Sequence, residues 1–182
     1  MAREKKLDFV ILGLLCHEDL TGYEMKKKID TSLSFFYNAS FGSIYPALNQ
    51  LSEQGYVISH YDSENNRNKI FYSITSKGRE YLNDWLRGDT EKNVLRYETL
   101  LKLFFGNESG FSNTYDMINR FESDIRNALK TLRFFASNLS SHLDEDDHKY
   151  YYLTVKFGIR SYEAYLTWCQ ESKDLLESWM KI

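Results

Sequence analysis

The spacing of apolar and polar residues changes rhythm along this chain, and the changes mark its elements. Residues 7–16, LDFVILGLLC, are almost entirely apolar, as expected of a helix buried in a small domain. Residues 17–20 read as a turn. Thr21 then opens a second predicted helix, because Glu24 stands three residues on and completes a capping box. Over residues 22–33 that helix turns Met25, Ile29 and Leu33 to one side at i, i+4, i+8 and leaves its lysines on the other. Ser40 is the N-cap of a third predicted helix, residues 41–54, with Ile44, Leu48 and Leu51 on its inner face. Pro46 falls within the first turns, where a missing N–H costs least, and Gly55 stops the helix.

The pattern then becomes that of strands. Residues 56–61, YVISHY, and 70–74, IFYSI, are rich in β-branched and aromatic side chains, and the polar residues 62–69 between them predict a hairpin with an open loop. Thr75 caps a fourth helix through Tyr81, Leu82, Trp85 and Leu86. After the linker-like residues 87–91, RGDTE, only helical patterns remain, at about 94–105, 113–142 and 145–180. In the last of these Tyr152, Val155, Ile159, Tyr162, Leu166 and Cys169 form a stripe in steps of three and four, which fits a helix seated against another helix. The expected fold is therefore mainly α with a small β-hairpin wing. A winged helix-turn-helix domain at residues 1–87 is followed by an all-helical dimerisation domain at 88–182. Three helices bury too little apolar surface alone, so a second subunit is implied.

Composition narrows the function. The chain has 182 residues, 42% of them apolar and 27% charged, enough for a packed core under a water-facing surface. Cys16 and Cys169 lie far apart in apolar patterns, which implies neither a disulfide framework nor a metal site. The apolar run 9–16 is far shorter than the ~20 residues a membrane span needs. No small-residue cleavage site follows it, so a reduced, cytoplasmic protein is expected. A net charge of −3 does not by itself suggest nucleic acid. Residues 1–87, however, are balanced at eleven basic and eleven acidic, and the excess acid lies beyond them. Within the first part Lys26, Lys27 and Lys28 are consecutive, and Arg67 and Lys69 share the hairpin loop. Such local placement decides how a surface meets phosphate.

Three stretches carry a family likeness: LTGYEM at 20–25, SFGSIYPALNQLSEQGYV at 40–57 and NKIFYSITSKGREYL at 68–82. Together they resemble the PadR family of bacterial transcriptional regulators, whose third helix opens on Gly-Ser-Ile-Tyr-Pro, here Gly42 to Pro46. In the wing Asn68 replaces the usual arginine, and one residue separates Lys69 from the aromatic pair Phe71 and Tyr72. ETLLKLFFG at 98–106 and YYLTVKFGIRSYEAYLTWCQE at 151–171 are similar to the long-tailed branch of that family, which includes phenolic-acid-responsive repressors and a virulence activator. The resemblance implies a sequence-specific, DNA-binding transcriptional regulator, a ligand-responsive repressor working as a homodimer on a double-stranded operator. The alternative is a winged-helix protein-interaction module that does not bind DNA.

Residue types agree with a DNA-binding surface. Ser43, Tyr45, Asn49 and Gln50 fall off the core face of the third helix, with hydroxyl and amide groups suited to base edges or phosphate. The expected contacts are Tyr23, Ser40, Gly42, Ser43, Tyr45, Pro46 and Asn49, with Arg67 and Lys69 on the wing against the sugar-phosphate backbone. For Tyr23 a phosphate contact and burial against the third helix are both open. The surplus of Tyr and Phe either lines a pocket for a flat effector or fills core and dimer interface. In the first case Phe105 and Tyr151 are candidate walls, and Lys156 or Arg160 would meet an acidic group, the effector setting the separation of the two domains. Residues 144–148, DEDDH, cannot all converge on one ion and suit a helix N-terminus instead. The scattered histidines pair with no nucleophile, so no catalytic site and no cofactor are expected.

Overall fold

Capping residues place the helices of the first half. The computed structural model describes residues 2–61, 69–93 and 97–180, and the chain divides into two units, residues 1–92 and 93–182. In the first, α1 (Ala2–Leu15) begins earlier than the apolar run, since Ala, Arg, Glu and Lys are good helix formers even without burial. Thr21 closes the capping box of α2 (Gly22–Lys28): the Glu24 N–H donates to Thr21 Oγ1 at 3.2 Å, and the Thr21 N–H donates to Glu24 Oε2 at 2.9 Å. The helical path runs on through a wider π-helical turn, Ile29–Leu33, that keeps Ile29 fully buried. Ser40 caps α3 (Phe41–Glu53), and Gly55, at φ 73°, supplies the left-handed residue that ends it. Pro46 is the sixth residue of α3, within its first two turns, and removes the N–H that would bond the Gly42 carbonyl.

β1 (Val57–Tyr61) and β2 (Ile70–Ile74) pair antiparallel in the register Val57↔Ile74 to Tyr61↔Ile70. A further bridge joins Leu20 to Tyr72, with N–H···O distances of 3.2 and 3.0 Å, and so ties the turn before α2 to the hairpin. α4 (Ser76–Arg87) starts on Thr75, whose Oγ1 accepts from the Gly78 N–H at 3.0 Å and donates to the Gly55 carbonyl at 2.8 Å. The core gathers Ile11 and Leu12 of α1, Met25, Ile29, Ile44, Leu48 and Leu51 of the helix-turn-helix, Val57 and Tyr72 of the hairpin, and Leu82 of α4.

The second unit has helices and turns but no strand among its described residues. α5 (Glu98–Phe104) and a 3₁₀ turn (Gly106–Glu108) lead into α6 (Gly110–Ser140) and α7 (Asp146–Met180). α6 and α7 pair antiparallel, as the contacts Tyr115–Glu177, Glu122–Lys173 and Arg133–Glu163 show. The expected stripe on α7 is seated on α6 of the same chain: Val155, Ile159 and Cys169 are buried, and Tyr152, Tyr162 and Leu166 are half-buried. At the centre of this pairing lies a charge, since Glu122 is only 7% exposed. The Lys173 ammonium and the Arg126 guanidinium donate to its two oxygens and hold its carboxyl below the usual carboxylate range. Among the described residues no helix is long and apolar enough to cross a membrane, and no group of three or more His, Cys, Asp or Glu is placed to hold a metal ion.

Candidate nucleic-acid interface

The N-terminal turns of α2 and α3 and strand β2 of the hairpin come together on one side of the first unit. One close contact and two electrostatic proximities join them. The Tyr45 ring lies over Gly22, so close that a Cβ added to that glycine would stand 2.9 Å from Cε1. Tyr45 is also a neighbour of Tyr72 on β2. Burial, reinforced by the phenols of Tyr45 and Tyr61, pushes the Tyr72 hydroxyl up from its ordinary value. Lys69, at the loop end of the hairpin, is near Glu24 of α2. The capping N–H and hydroxyl of Thr21 lower the Glu24 carboxyl most, and the charges of Lys69 and Lys28 lower it further.

On that surface Tyr23, Tyr45 and Asn49 are exposed, with Tyr45 and Asn49 one turn apart on α3. Tyr23 is 64% exposed, and its ring stacks on Phe41 at the start of α3 with centroids 6.2 Å apart. Ser40, Gly42 and Pro46 are also exposed, and the space in front of Gly42 holds only Ser40 Oγ, 3.8 Å from where a Cβ would stand. Ser43 is engaged locally: its hydroxyl donates to the Ser40 carbonyl at 2.8 Å and accepts from the Ser40 N–H at 3.2 Å. It therefore sets the entry of α3. The lysines separate as helical geometry requires: Lys26 pairs with Asp30, Lys28 pairs with Glu18 at 2.7 Å, and Lys27 is exposed. Lys69 is exposed as well, while Arg67 lies outside the described residues.

Profiles of two known families fall one after the other on the chain. The transcriptional regulator PadR-like family matches residues 11–84, and the virulence activator alpha C-terminal family matches residues 95–177. The chain belongs to the PadR-like family of transcriptional regulators. It is 24% identical to the negative transcriptional regulator PadR of Bacillus subtilis over 90% of this chain and 93% of that protein. Among solved structures it is similar to the PadR-like transcriptional regulator BC1756 of Bacillus cereus, with 27% identity, a TM-score of 0.78, and coverage of 94% of this chain and 98% of the other. It shares the fold of Bacillus subtilis PadR in complex with operator DNA, at 24% identity and a TM-score of 0.80 over 93% and 98% of the two chains. The same protein in complex with p-coumaric acid gives 24%, 0.74, and 94% and 98%.

In this PadR-like chain the four residues singled out for an effector all lie in the tail, but not together. Lys156 and Arg160 are one turn apart on α7; the Lys156 ammonium stands 5.9 Å from the Tyr152 ring centroid, and Arg160 bonds Glu163 at 2.9 Å. Tyr151 is on the same stretch of α7 and exposed. Phe105 precedes the start of α6, the end that pairs with the C-terminal part of α7. Within one chain it is therefore separated from Arg160 by roughly 35 Å of helix. An open groove of about 1050 Å³ lies instead in the winged-helix unit, between Leu7 and Asp8 of α1, Tyr37 and Asn38, and the Ser43, Pro46 and Gln50 side of α3. None of the four tail residues lines it. The residue that sequence reasoning missed is Phe41, an exposed aromatic at the first helical position of α3. Its place directly after the N-cap Ser40 was the available signal.

Proposed function

We propose that this protein is a cytoplasmic, homodimeric repressor without enzymatic activity of its own, which binds a two-fold DNA operator and leaves it when a small aromatic acid binds. The observation that carries this reading is the convergence of Tyr23, Tyr45, Asn49 and Lys69 on one exposed surface, around the N-terminal turn of a helix-turn-helix second helix. In this arrangement α3 enters the major groove. Tyr45 and Asn49 meet base edges, and Ser40, Gly42, Ser43 and Pro46 shape the close approach of the helix start. Tyr23, Lys69 and Arg67 meet the sugar-phosphate backbone. The domain division that goes with this is a DNA-binding part at residues 1–87 and a dimerising tail at 88–182. The aromatic acid follows from the p-coumaric acid complex of the Bacillus subtilis relative. Here Lys156 and Arg160 are the cations for its carboxylate, Tyr151 is a ring beside them, and a second wall at Phe105 would come from the other subunit of the dimer.

The decisive experiment selects duplexes from a random-sequence library with the full chain and titrates the enriched DNA at 50 and 200 mM salt. A repressor of this kind enriches a sequence with two-fold symmetry and half-sites ~34–36 Å apart. Its affinity falls steeply with salt, because each neutralised phosphate contributes about 0.9 to the log–log slope. No enrichment, with binding unchanged between the two salt concentrations, would overturn the reading.

A further inference from the structure

We propose that Phe41, braced by Tyr23, selects thymine in the operator by packing on the 5-methyl group of the base. The proposal rests on the DNA-binding reading above. Phe41 is the first residue of α3, next to the N-cap, and 44% of its surface is exposed. It is no loose surface ring. Tyr23 of α2 stacks on it with centroids 6.2 Å apart at 16°, and the Lys26 ammonium stands 5.7 Å from its centroid. Lys26 is itself fixed by its ion pair with Asp30. The ring is thus held in place on the side of α3 where the helix start, Tyr23 and Lys26 meet.

A phenylalanine at this position has nothing to offer a phosphate, a sugar hydroxyl or the hydrogen-bonding edge of a base. Recognition helices reach base edges with the residues of their N-terminal turn. The apolar group that a base pair shows in the major groove is the C5-methyl of thymine. An apolar ring at the start of α3, held rigid before DNA arrives, matches that methyl and loses little conformational freedom on contact. Its neighbours agree with the placement: the exposed hydroxyl-bearing rings of Tyr23 and Tyr45 and the exposed side chain of Lys27 suit the polar parts of the same duplex.

The test uses the full chain and the duplex enriched from the random-sequence library. Each thymine is replaced in turn by deoxyuridine, which removes only the methyl. The expected result is a thymine in each half-site whose replacement weakens binding about four-fold, the worth of one buried methyl-sized group. Phe41→Ala should bind the thymine duplex more weakly and show no further loss with deoxyuridine at that position, while other positions behave as in the parent chain. Phe41→Leu should retain part of the discrimination. In a second measurement, 5-iodouracil at the sensitive position of the parent protein should photocross-link to a peptide that fragments to Phe41. This readout holds whatever the stability of the variants. An enriched duplex without any methyl-sensitive thymine, a methyl effect equal in parent and Phe41→Ala, or a cross-link elsewhere than Phe41 and Tyr23 would overturn the proposal alone. Absence of any enriched, salt-sensitive duplex would overturn the DNA reading and this inference together.

Discussion

Tyr45 and Gly22 form a pair that neither residue's type announces. The glycine is needed because the ring of Tyr45 occupies the volume of its missing side chain, with three ring and hydroxyl atoms within 3.2 Å of the position a Cβ would take. Gly22→Ala should therefore push the ring aside. We expect weaker binding to the enriched duplex with a stability cost of about 1 kcal/mol, and no added loss when the change is made in a Tyr45→Ala background. Tyr45→Phe keeps the ring and deletes one oxygen. If that oxygen meets DNA, affinity falls while the melting temperature stays put. Asn49→Ala should cost ~1–3 kcal/mol on the enriched duplex and little on random DNA. Lys69→Ala, by contrast, should weaken both and lower the log–log salt slope by about 0.9 per subunit and phosphate. Electrophoretic or fluorescence titrations of the three variants on both DNAs separate these outcomes. Equal losses on both DNAs for Asn49→Ala would remove it from base contact.

At the scale of elements, the parts of the fold that depend on near neighbours in sequence were legible in the chain. The Thr21–Glu24 box, the Ser40 and Thr75 caps and the two strands each declare themselves within a few residues. The capping surface at the start of α3 was readable for the same reason. The π-helical turn Ile29–Leu33 was not, because Met25, Ile29 and Leu33 at i, i+4, i+8 read the same as a continuing α-helix. Nor was the Glu122–Lys173 pair, whose members are 51 residues apart and meet only when α6 and α7 align. That pair yields a stability prediction. Removing the carboxylate alone with Glu122→Leu strands a nearly buried ammonium and should cost about 3 kcal/mol in urea unfolding. Adding Lys173→Met should restore most of it, since an apolar pair of similar volume replaces a buried ion pair at little loss. The pH dependence has a definite sign. The folded-state pKa of Glu122 is depressed by its hydrogen bonds to Lys173 and Arg126, so its contribution is present at neutral pH and is lost as pH falls through that lowered value. The double variant should accordingly lose less stability than the parent chain between roughly pH 5 and 3.

For the whole molecule the question is which surface joins two copies. The α7 stripe made of Val155, Ile159 and Cys169 is already covered by α6, so a charge at the neighbouring Leu166 should damage the helix pair itself. A second apolar row runs along the other side of α7, where Tyr150, Leu153 and Phe157 succeed one another at i, i+3, i+7 and are exposed in the single chain. Phe157 alone is 72% exposed. Rows of large apolar side chains left open to water are the mark of an interface. Phe157→Asp should therefore convert the dimer to a monomer, seen by sedimentation, with the helical content and melting of the monomer intact; Leu166→Asp should lower both. The functional consequence follows from bivalency. Two winged helices on one dimer bind the second half-site as an intramolecular event, so losing the partner lowers operator affinity by about 10²-fold or more without touching any DNA contact. A chain ending at residue 92, which retains the whole core from Leu7 to Leu82, should show the same weakened binding and the same half-site preference. If Phe157→Asp stays dimeric while the shortened chain is monomeric, the tail joins the copies through another of its exposed faces. If the shortened chain is itself a dimer at full affinity, dimerisation belongs to the winged-helix unit and the tail must serve the effector alone.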